Sequence, residues 1–298
     1  MEIQQSTGKD QLSLLTSVDQ TQFFGNKDLT YQQIRAFQTI IYDYYKIFGR
    51  NFAWRQTVNP YSIVVSEIML QQTQTGRVVA KYEQFLKRFP NFSSLAQAQL
   101  HDVIVCWQGL GYNRRGKYLW QLAKIVQGDF GGILPKDPKV LQTFPGIGKA
   151  TAASICAFAF NEPTVFIETN IRTVFTKFFF SDDVLSVHDN QIEPFVTATL
   201  DKANARIWYY ALTDYGVGLK KYFPNLNKRS AHYNKQSRFE GSDRQIRGKI
   251  LRLLAQEKLV NKKELDFLCK DKNRLQKIIL QLQKEKLITK RSDKLKIG

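Results

Sequence analysis

The sequence predicts a mainly α-helical protein that ends in a small, basic winged-helix-like unit. From about residue 30 to residue 223 the pattern of apolar residues is helical, and no convincing run of alternating strand residues appears. Turn signals interrupt this region at residues 58–60, 88–92, 128–138 and 144–148. A chain patterned in this way is expected to fold as packed helices joined by short turns.

The stretch 243–298 has the element order of a winged helix. RQIRGKILRLLAQ predicts a helix, KKELDFLC a short second helix and NRLQKIILQLQKEKLI a third, and KLITKRSDKLKIG predicts two short strands around a polar turn. Counted from Gly241, this part holds 17 lysine and arginine residues against 7 aspartate and glutamate residues. A basic third helix suits insertion into a DNA groove. A three-helix protein-interaction module with a solvated basic surface is the alternative.

Three further segments complete the predicted organisation. Residues 1–28 are polar and rich in glutamine, serine and threonine, so we expect them to be flexible. Residues 29–223 form the main helical domain. Residues 224–242 are polar, basic and poor in aliphatic side chains, and we interpret them as a linker that lies along a surface.

Composition narrows the class of protein. The 298 residues suit one large domain or two smaller ones, and a hydrophobic content of 43% is ample for packed cores. A net charge of +18 favours a polyanionic partner, with nucleic acid first and an anionic membrane surface second.

The cysteines and the N-terminus indicate a cytoplasmic protein, associated with the nucleoid if the source is bacterial. Cys106, Cys156 and Cys269 are odd in number and far apart, which argues against a disulfide framework and against a clustered metal site. The first residues lack the features of a signal peptide, and no run approaches 18 apolar residues.

Residues 144–152, FPGIGKATA, fit a phosphate-cradling loop, a nucleophilic-lysine site or a tight turn between helices. Pro145 stiffens the turn, while Gly146 and Gly148 allow a close backbone approach. A helix that begins near Lys149 directs unpaired N–H groups and its positive dipole end outward, which favours an anion. The motif is too short for a nucleotide P-loop and follows no buried strand. A helix–turn–helix of this kind grips a nucleic-acid phosphate without reading sequence.

Glu67 is the candidate general acid. Asn59-Pro60 predicts the cap and first turn of a helix through YSIVVSEIMLQQT, on which Glu67 shares a face with Ile63 and Val64. A carboxyl group among aliphatic side chains has its charged form disfavoured, so we expect its pKa to rise. A solvated surface glutamate is the alternative.

Three separated blocks carry a family resemblance: WRQTVNPYSIVVSEIMLQQTQTGRVVAKYEQFLKRFP, WQGLGYNRRGKYL and LQTFPGIGKATAASICAFAF. Together they resemble the helix-hairpin-helix (HhH-GPD) DNA glycosylases, and among these the MutY-type adenine DNA glycosylases. The match covers roughly residues 52–222. The resemblance implies an all-α, two-lobed helix-hairpin-helix glycosylase fold, DNA in the cleft, and excision of a flipped-out base.

The resemblance also implies residue roles. Glu67 would protonate adenine and later handle the attacking water, and Gln72 would insert into the gap in the base stack, unless it is an ordinary polar helix residue. Glu168 stands where the family has aspartate in a D-x-N-x-x-R pattern, to which we assign Asn170 and Arg172. Base excision resembles glycoside hydrolysis, in which a second carboxylate stabilises an oxocarbenium-like centre. A helix-capping carboxylate is the alternative for Glu168, whose side chain is one methylene longer than aspartate.

Lys149 is not expected to act as a nucleophile. Bifunctional relatives carry their Schiff-base lysine one place later, where this chain has Ala150. One residue on a helix is a rotation of roughly 100°, so Lys149 should point away from the sugar pocket. We therefore expect excision without an efficient lyase step. The predicted DNA contacts here are Gly146, Gly148, Lys149 and Thr151, with plain surface charge as the alternative for the lysine.

Several other residues receive smaller assignments. Arg114 and Arg115 follow a Gly-rich corner, WQGLGYN at residues 107–113, and are predicted to touch phosphates. Arg172 is also predicted to touch a phosphate. Trp107 and Tyr112 are expected in the core. The three histidines have no ligand spacing, so we expect no metal site; they are His101, His188 and His232.

Two departures from the family concern cofactors and domains. The family usually has four cysteines that bind an iron–sulfur cluster, but residues 214–242 contain none and Lys220 stands at the first position, so we expect no cluster. Basic and aromatic residues of the stretch 214–242 would take over the DNA contacts that the cluster region makes in the family, or would simply pack the linker. We expect the family's larger 8-oxoguanine-recognition domain to be absent and the winged-helix-like unit to take its place. The resemblance suggests a monovalent cation at the carbonyls of 144–148.

The leading hypothesis is a monofunctional DNA glycosylase of base excision repair that removes adenine mispaired with guanine or 8-oxoguanine. A glycosylase for uracil or thymine opposite guanine is the second hypothesis, and a non-catalytic DNA-binding protein on the same scaffold is the third. The expected partner is double-stranded DNA with a mispaired or damaged base. We expect a monomer that does not bind a membrane.

Overall fold

The fold is given by a computed structural model, which describes residues 8–17, 23, 28–235 and 238–298. The chain divides into two compact units. The first unit contains the described residues up to Val58 together with Lys149–Lys235. The second unit contains Asn59–Gly148 together with the described residues 238–298. Among the described residues, no helix is both long and apolar enough to cross a membrane.

The predicted all-α class is confirmed. The helices, numbered in chain order, are α1 (Gly8–Thr16), α2 (Tyr31–Phe48), α3 (Pro60–Leu70), α4 (Thr75–Arg88), α5 (Phe92–Gln97), α6 (Leu100–Trp107), α7 (Arg114–Asp129), α8 (Pro138–Leu141), α9 (Lys149–Phe160), α10 (Thr169–Phe179), α11 (Asp189–Thr199), α12 (Ala205–Tyr222), α13 (Asp243–Glu257) and α14 (Lys272–Lys284). Short 3-10 helices lie at Ala53–Arg55, Leu226–Arg229 and Lys262–Leu268. The strands are β1 (Val260–Asn261), β2 (Ile288–Arg291) and β3 (Lys294–Ile297).

The first unit packs α2, α10 and α12 around an aromatic core. The Phe37 ring meets that of Phe178 edge-on at 5.0 Å between centroids and that of Trp208 at 5.8 Å. Such rings bury large areas and favour edge-to-face contacts. At Gly216, α12 approaches the first turn of α10 so closely that a Cβ would lie 2.3 Å from the carbonyl oxygen of Asn170. Glycine at position 216 therefore sets where Asn170 lies.

A buried carboxylate ties the segment after α2 to α12. The Asp214 side chain is 1% exposed and accepts hydrogen bonds from Arg55 at 2.7 and 2.8 Å. Arg50 donates to the same carboxylate through its Nε and its backbone N–H, both at 2.7 Å. Bidentate pairing of this kind satisfies a charge that would be costly to bury alone.

In the second unit, the predicted start of α3 is confirmed. The Asn59 side chain accepts a hydrogen bond from the Ser62 backbone N–H at 3.1 Å, and Pro60 occupies the first turn. The Tyr61 hydroxyl donates to the carbonyl of Phe89 at 2.6 Å, which ties this first turn to the end of α4. Trp107, predicted in the core, is fully buried.

The C-terminal part has the predicted order of helix, short helix, helix and strand pair. Its sheet has the order β1-β3-β2 with antiparallel pairing, and β2 pairs with β3 from Ile288 opposite Ile297 to Arg291 opposite Lys294. The short second helix is a 3-10 helix. The apolar core of this part also includes Leu100 and Ile104 of α6. The C-terminal part thus shares its core with α6, whereas the domain boundaries stay predictions.

Two segments are more ordered than their sequences indicated. In the stretch 1–28, expected to be flexible, α1 buries Leu15, and Gln11 donates to the Tyr44 hydroxyl at 2.6 Å; residues 1–7, 18–22 and 24–27 lie outside the described residues. In the predicted linker 224–242, Arg229 is buried rather than laid along a surface. Both differences arise because isolated apolar or long side chains in polar stretches find partners far away in sequence.

Candidate functional site

Glu67 lies in the last turn of α3 and is partly buried. Ile63 and Val64, one turn before it, are fully buried. The role of Glu67 as proton donor stays a prediction.

Arg115 holds the C-terminal end of α3. Its guanidinium donates to the carbonyl oxygens of Ile68 at 2.8 Å, Met69 at 2.9 Å and Gln71, and to the Thr73 hydroxyl at 2.8 Å. These are carbonyls that a helix end leaves without intrahelical partners. Burial lowers the pKa of Arg115 to about 10, so the side chain remains charged at neutral pH. One buried cation therefore fixes the turn that follows Glu67.

Gln72 sits at the exposed tip of this turn. Its backbone has a φ of 52°, in the left-handed region that side-chain-bearing residues rarely adopt. The neighbouring Gln71 donates its side-chain amide to the Gly146 carbonyl at 3.2 Å, which links the turn to the FPGIG loop. Strained, exposed positions that the surroundings hold in place are typical of functional sites. The geometry agrees with the predicted wedge role, which stays a prediction.

The structure corrects two assignments, one in the corner that precedes α7 and one in the first turn of α7. Arg115 is predicted to touch phosphate, but it is 8% exposed and its donors face protein carbonyls. Tyr112 is predicted in the core, but it is 38% exposed with a φ of 45°. Arg114 remains exposed, and its guanidinium lies 3.8 Å from the carboxylate of Glu285.

The FPGIG loop follows α8, whose N-cap Asp137 accepts a hydrogen bond from the Lys139 backbone at 2.7 Å. Gly146 has a φ of 78°, and a Cβ there would lie 2.9 Å from the Tyr118 ring. At Gly148, in contrast, no atom of the described residues beyond its two chain neighbours lies within 4 Å of where a Cβ would be. Gly146 is required by the fold, whereas Gly148 leaves open space that a ligand can approach.

Lys149 begins α9, and its side chain is 78% exposed. Its amine lies 3.6 Å from the carboxylate of Glu193, a solvated pair of a kind that contributes little to stability. Thr151 lies in the first turn of α9 and is partly buried. Their contacts with DNA stay predictions.

Glu168 and Asn170 are brought together at the start of α10. Glu168 is the N-cap: its Oε1 accepts from the Ile171 backbone N–H at 3.0 Å, and its Oε2 accepts from the Asn170 amide at 3.1 Å. Glu168 therefore caps α10, which is the alternative to a catalytic role that the sequence left open. Capping does not exclude a catalytic role, because carboxylate oxygens accept more than one bond. The Asn170 Oδ1 is buried without a hydrogen-bond partner among the described residues.

Arg172 is wrongly assigned to DNA. Its guanidinium forms a bidentate ion pair with Asp189, at 2.6 and 2.8 Å, and the side chain is 14% exposed. The D-x-N-x-x-R spacing, counted from Glu168, places the arginine position at Thr173 instead. Thr173 is buried and donates to the Thr169 carbonyl at 2.8 Å, so Arg172 and Thr173 both stabilise the fold.

Lys220 lies near enough to Glu168 for their charges to interact. Burial lowers the pKa of the Lys220 amine, and the Arg50 guanidinium adds to this, whereas Glu168 opposes it. The sequence singled out Lys220 only because it stands where the family has the first of its four cluster cysteines. Its proximity to Glu168 could not be predicted, because the two residues lie 52 positions apart on different helices.

The residues do not fit an iron–sulfur cluster. The whole sequence has three cysteines, and Cys106, Cys156 and Cys269 lie in separate elements. A cluster of this type requires four ligands. Among the described residues, no group of three or more His, Cys, Asp or Glu side chains could hold a metal ion. Instead, Arg229 holds the segment after α12, donating to the carbonyls of Phe180 at 3.0 Å and Val184 at 3.1 Å.

Comparison with known proteins shows the family of the chain. Residues 65–192 match the family described as HhH-GPD superfamily base excision DNA repair protein. An adenine DNA glycosylase of Mycolicibacterium smegmatis is 31% identical over 229 residues, which cover 69% of this chain and 75% of that protein. The chain belongs to the MutY-type HhH-GPD DNA glycosylases.

The relatives differ in how much of their length is matched. The adenine DNA glycosylase of Buchnera aphidicola subsp. Baizongia pistaciae is 36% identical over 166 residues, 55% of this chain and 46% of that protein. This MutY-type chain thus spans about half the length of several relatives it matches. A thermostable thymine-DNA glycosylase structure matches with a TM-score of 0.58 and 25% identity, over 63% of this chain and 88% of that one. An endonuclease III–DNA covalent intermediate, with a TM-score of 0.52 and 18% identity over 62% of this chain and 85% of that one, shares the fold.

The two loop glycines give a matched pair of variants. We expect Gly146→Ala to lower the free energy of unfolding by about 1–3 kcal/mol, because alanine is strained at this φ and meets Tyr118. Gly148→Ala should change the free energy of unfolding by less than about 0.5 kcal/mol. It should nevertheless weaken binding to duplex DNA about tenfold, since its methyl group occupies the open space. Urea denaturation and fluorescence-anisotropy titration measure the two effects. Wild-type affinity in Gly148→Ala would argue against a phosphate at this loop.

Proposed function

We propose that this chain is a monofunctional DNA glycosylase that removes adenine mispaired with guanine or 8-oxoguanine from double-stranded DNA. The observation that carries the proposal is the match to an adenine DNA glycosylase over 229 residues. The family match at residues 65–192 includes both candidate carboxylates. The net charge of +18 supports DNA as the partner.

In the proposed reaction, water replaces the base at the sugar carbon. Glu67 donates a proton to the departing adenine, so that the base leaves neutral as the N-glycosidic bond breaks. The ionised Glu168 stabilises the positive charge that develops on the sugar. Glu67, now ionised, accepts a proton from the attacking water. The products are free adenine and an abasic site on an unbroken strand.

The N-cap position of Glu168 supports its role as the ionised partner. A negative charge at a helix N-terminus is stabilised by the unpaired N–H groups and the helix dipole. The bonds from Ile171 and Asn170 fix the carboxylate's orientation, and the nearby Lys220 adds a positive charge. The arrangement suits a carboxylate that stays charged through the reaction.

The position of Lys149 supports hydrolysis without a lyase step. Its side chain is 78% exposed and its amine lies 3.6 Å from the Glu193 carboxylate, which is the setting of a surface charge. Ala150 occupies the place of the family's Schiff-base lysine. The absence of an iron–sulfur cluster, a monovalent cation at the carbonyls of 144–148, a monomeric state and a cytoplasmic location belong to the same proposal.

A second candidate keeps the chemistry but changes the base to thymine or uracil opposite guanine. The similarity to a thermostable thymine-DNA glycosylase favours it. Glu168 favours it too, because a carboxylate one methylene longer than the MutY-type aspartate would re-space the base pocket.

A panel of duplexes decides between the candidates. Each carries one lesion or mispair, namely A·G, A·8-oxoguanine, T·G or U·G, and strand loss after hot alkali reports excision. We expect excision at the two adenine mispairs, and a loss of at least about 10³-fold in the single-turnover rate in Glu67→Gln. Undamaged duplex is the control. Excision at T·G or U·G alone would establish the second candidate, and an unchanged rate in Glu67→Gln would refute its role as acid.

Variants of Glu168 separate capping from catalysis. Glu168→Ser keeps a preferred N-cap side chain and removes the charge, whereas Glu168→Asp keeps both. We expect both variants to retain the free energy of unfolding within about 1 kcal/mol. Glu168→Ser should lower the single-turnover excision rate by about 10²–10³-fold, and Glu168→Asp by less than about tenfold. Equal rates in the two variants would mean that Glu168 only caps α10.

A further inference from the structure

A cavity of 420 Å³ lies within the second unit and belongs neither to the α3 end nor to the FPGIG loop. Its walls come from the start of α4, the Gly-rich corner before α7, and helices α13 and α14. A cavity of this size suits a ligand as large as a nucleotide. Its charged and aromatic lining includes Arg77, Tyr112, Arg114, Arg244, Arg247 and Arg252.

The side chains that line this cavity carry mainly positive charge. Five guanidinium groups line it against one carboxylate, that of Glu285. Glu285 accepts an ion pair from Arg247 and lies 3.8 Å from Arg114. Arg77 and Arg252 are exposed, and neither forms an ion pair within the described residues. Like charges that line one cavity repel one another, and an anion in the cavity relieves the repulsion.

Hydrogen bonds hold the walls in place before any ligand arrives. Arg244 donates to the Tyr112 hydroxyl at 3.0 Å, which joins α13 to the Gly-rich corner. Gln281 donates to Glu285 at 2.9 Å, and the Lys117 amine donates to the Glu285 carbonyl. A pre-formed arginine cluster loses little conformational freedom when it binds an anion.

We propose that this cavity binds backbone phosphates of duplex DNA, and that the C-terminal unit thereby extends the DNA contact of the glycosylase. Planar guanidinium groups match the oxygens of a phosphate in paired hydrogen bonds, and several of them converge on one space here. The inference rests on the proposed function for the identity of the anion. The inference assigns the DNA contact to α13 and the Gly-rich corner. The winged-helix pattern would instead place it on α14, the third helix of the C-terminal part.

The test uses the full chain and undamaged duplex DNA. Arg77→Ala/Arg252→Ala removes two cavity charges from exposed positions, and Lys263→Ala/Lys270→Ala removes two exposed charges outside the cavity lining. Binding is measured between 50 and 300 mM salt. Each phosphate contact contributes about 0.9 to the slope of log K against log salt. We expect the magnitude of that slope to be smaller by about 1–2 in the cavity variant, and by less than about 0.5 in the control variant.

The possible results separate this inference from the proposed function. The binding assay needs no turnover, so a chain that excises no base still gives a slope. An unchanged slope in the cavity variant, or an equal loss in the control, would overturn the inference. Inorganic phosphate, titrated at constant ionic strength, tests a small-anion site. Saturable phosphate binding that the cavity variant loses, with its DNA slope unchanged, would also overturn the inference.

Discussion

The burial of Arg115 against the end of α3 is the interaction on which the functional surface of the second unit depends. The guanidinium replaces the missing hydrogen-bond donors of the last α3 turn. A buried cation is stable there because several carbonyl oxygens surround it. With this end fixed, Gln72 is held at a φ of 52° and Glu67 keeps its place one turn earlier.

Similar ties fix the reactive groups of the first unit. Glu168 caps α10 and takes the Asn170 amide on its second oxygen, while Gly216 lets α12 approach that turn closely. Arg229 anchors the segment after α12 through hydrogen bonds to the carbonyls of Phe180 and Val184. In both units, the groups assigned to chemistry lie at helix ends, where side chains complete the backbone hydrogen bonding.

Local rules predicted what depends on local sequence. Asn59-Pro60 identified the start of α3, and periodicity with charge identified the order of the C-terminal elements. The destinations of long side chains were not predictable, because Arg115 after a Gly-rich corner reads the same whether it reaches solvent or buried carbonyls. Arg172 was misassigned for the same reason, since its partner Asp189 lies 17 residues away. The cavity arginines come from three distant stretches, and of these only Arg114 follows a motif that the sequence analysis identified.

The most direct test is the single-turnover rate of adenine excision by Arg115→Lys, measured beside its urea denaturation curve. Lysine keeps the charge but offers a single ammonium group in place of a five-donor planar fork, so the α3 end should lose its fixed geometry. A misplacement of about 1 Å can cost about 10²-fold in rate. We expect a loss of that size in a protein that remains folded. A folded Arg115→Lys with the wild-type excision rate would contradict the account.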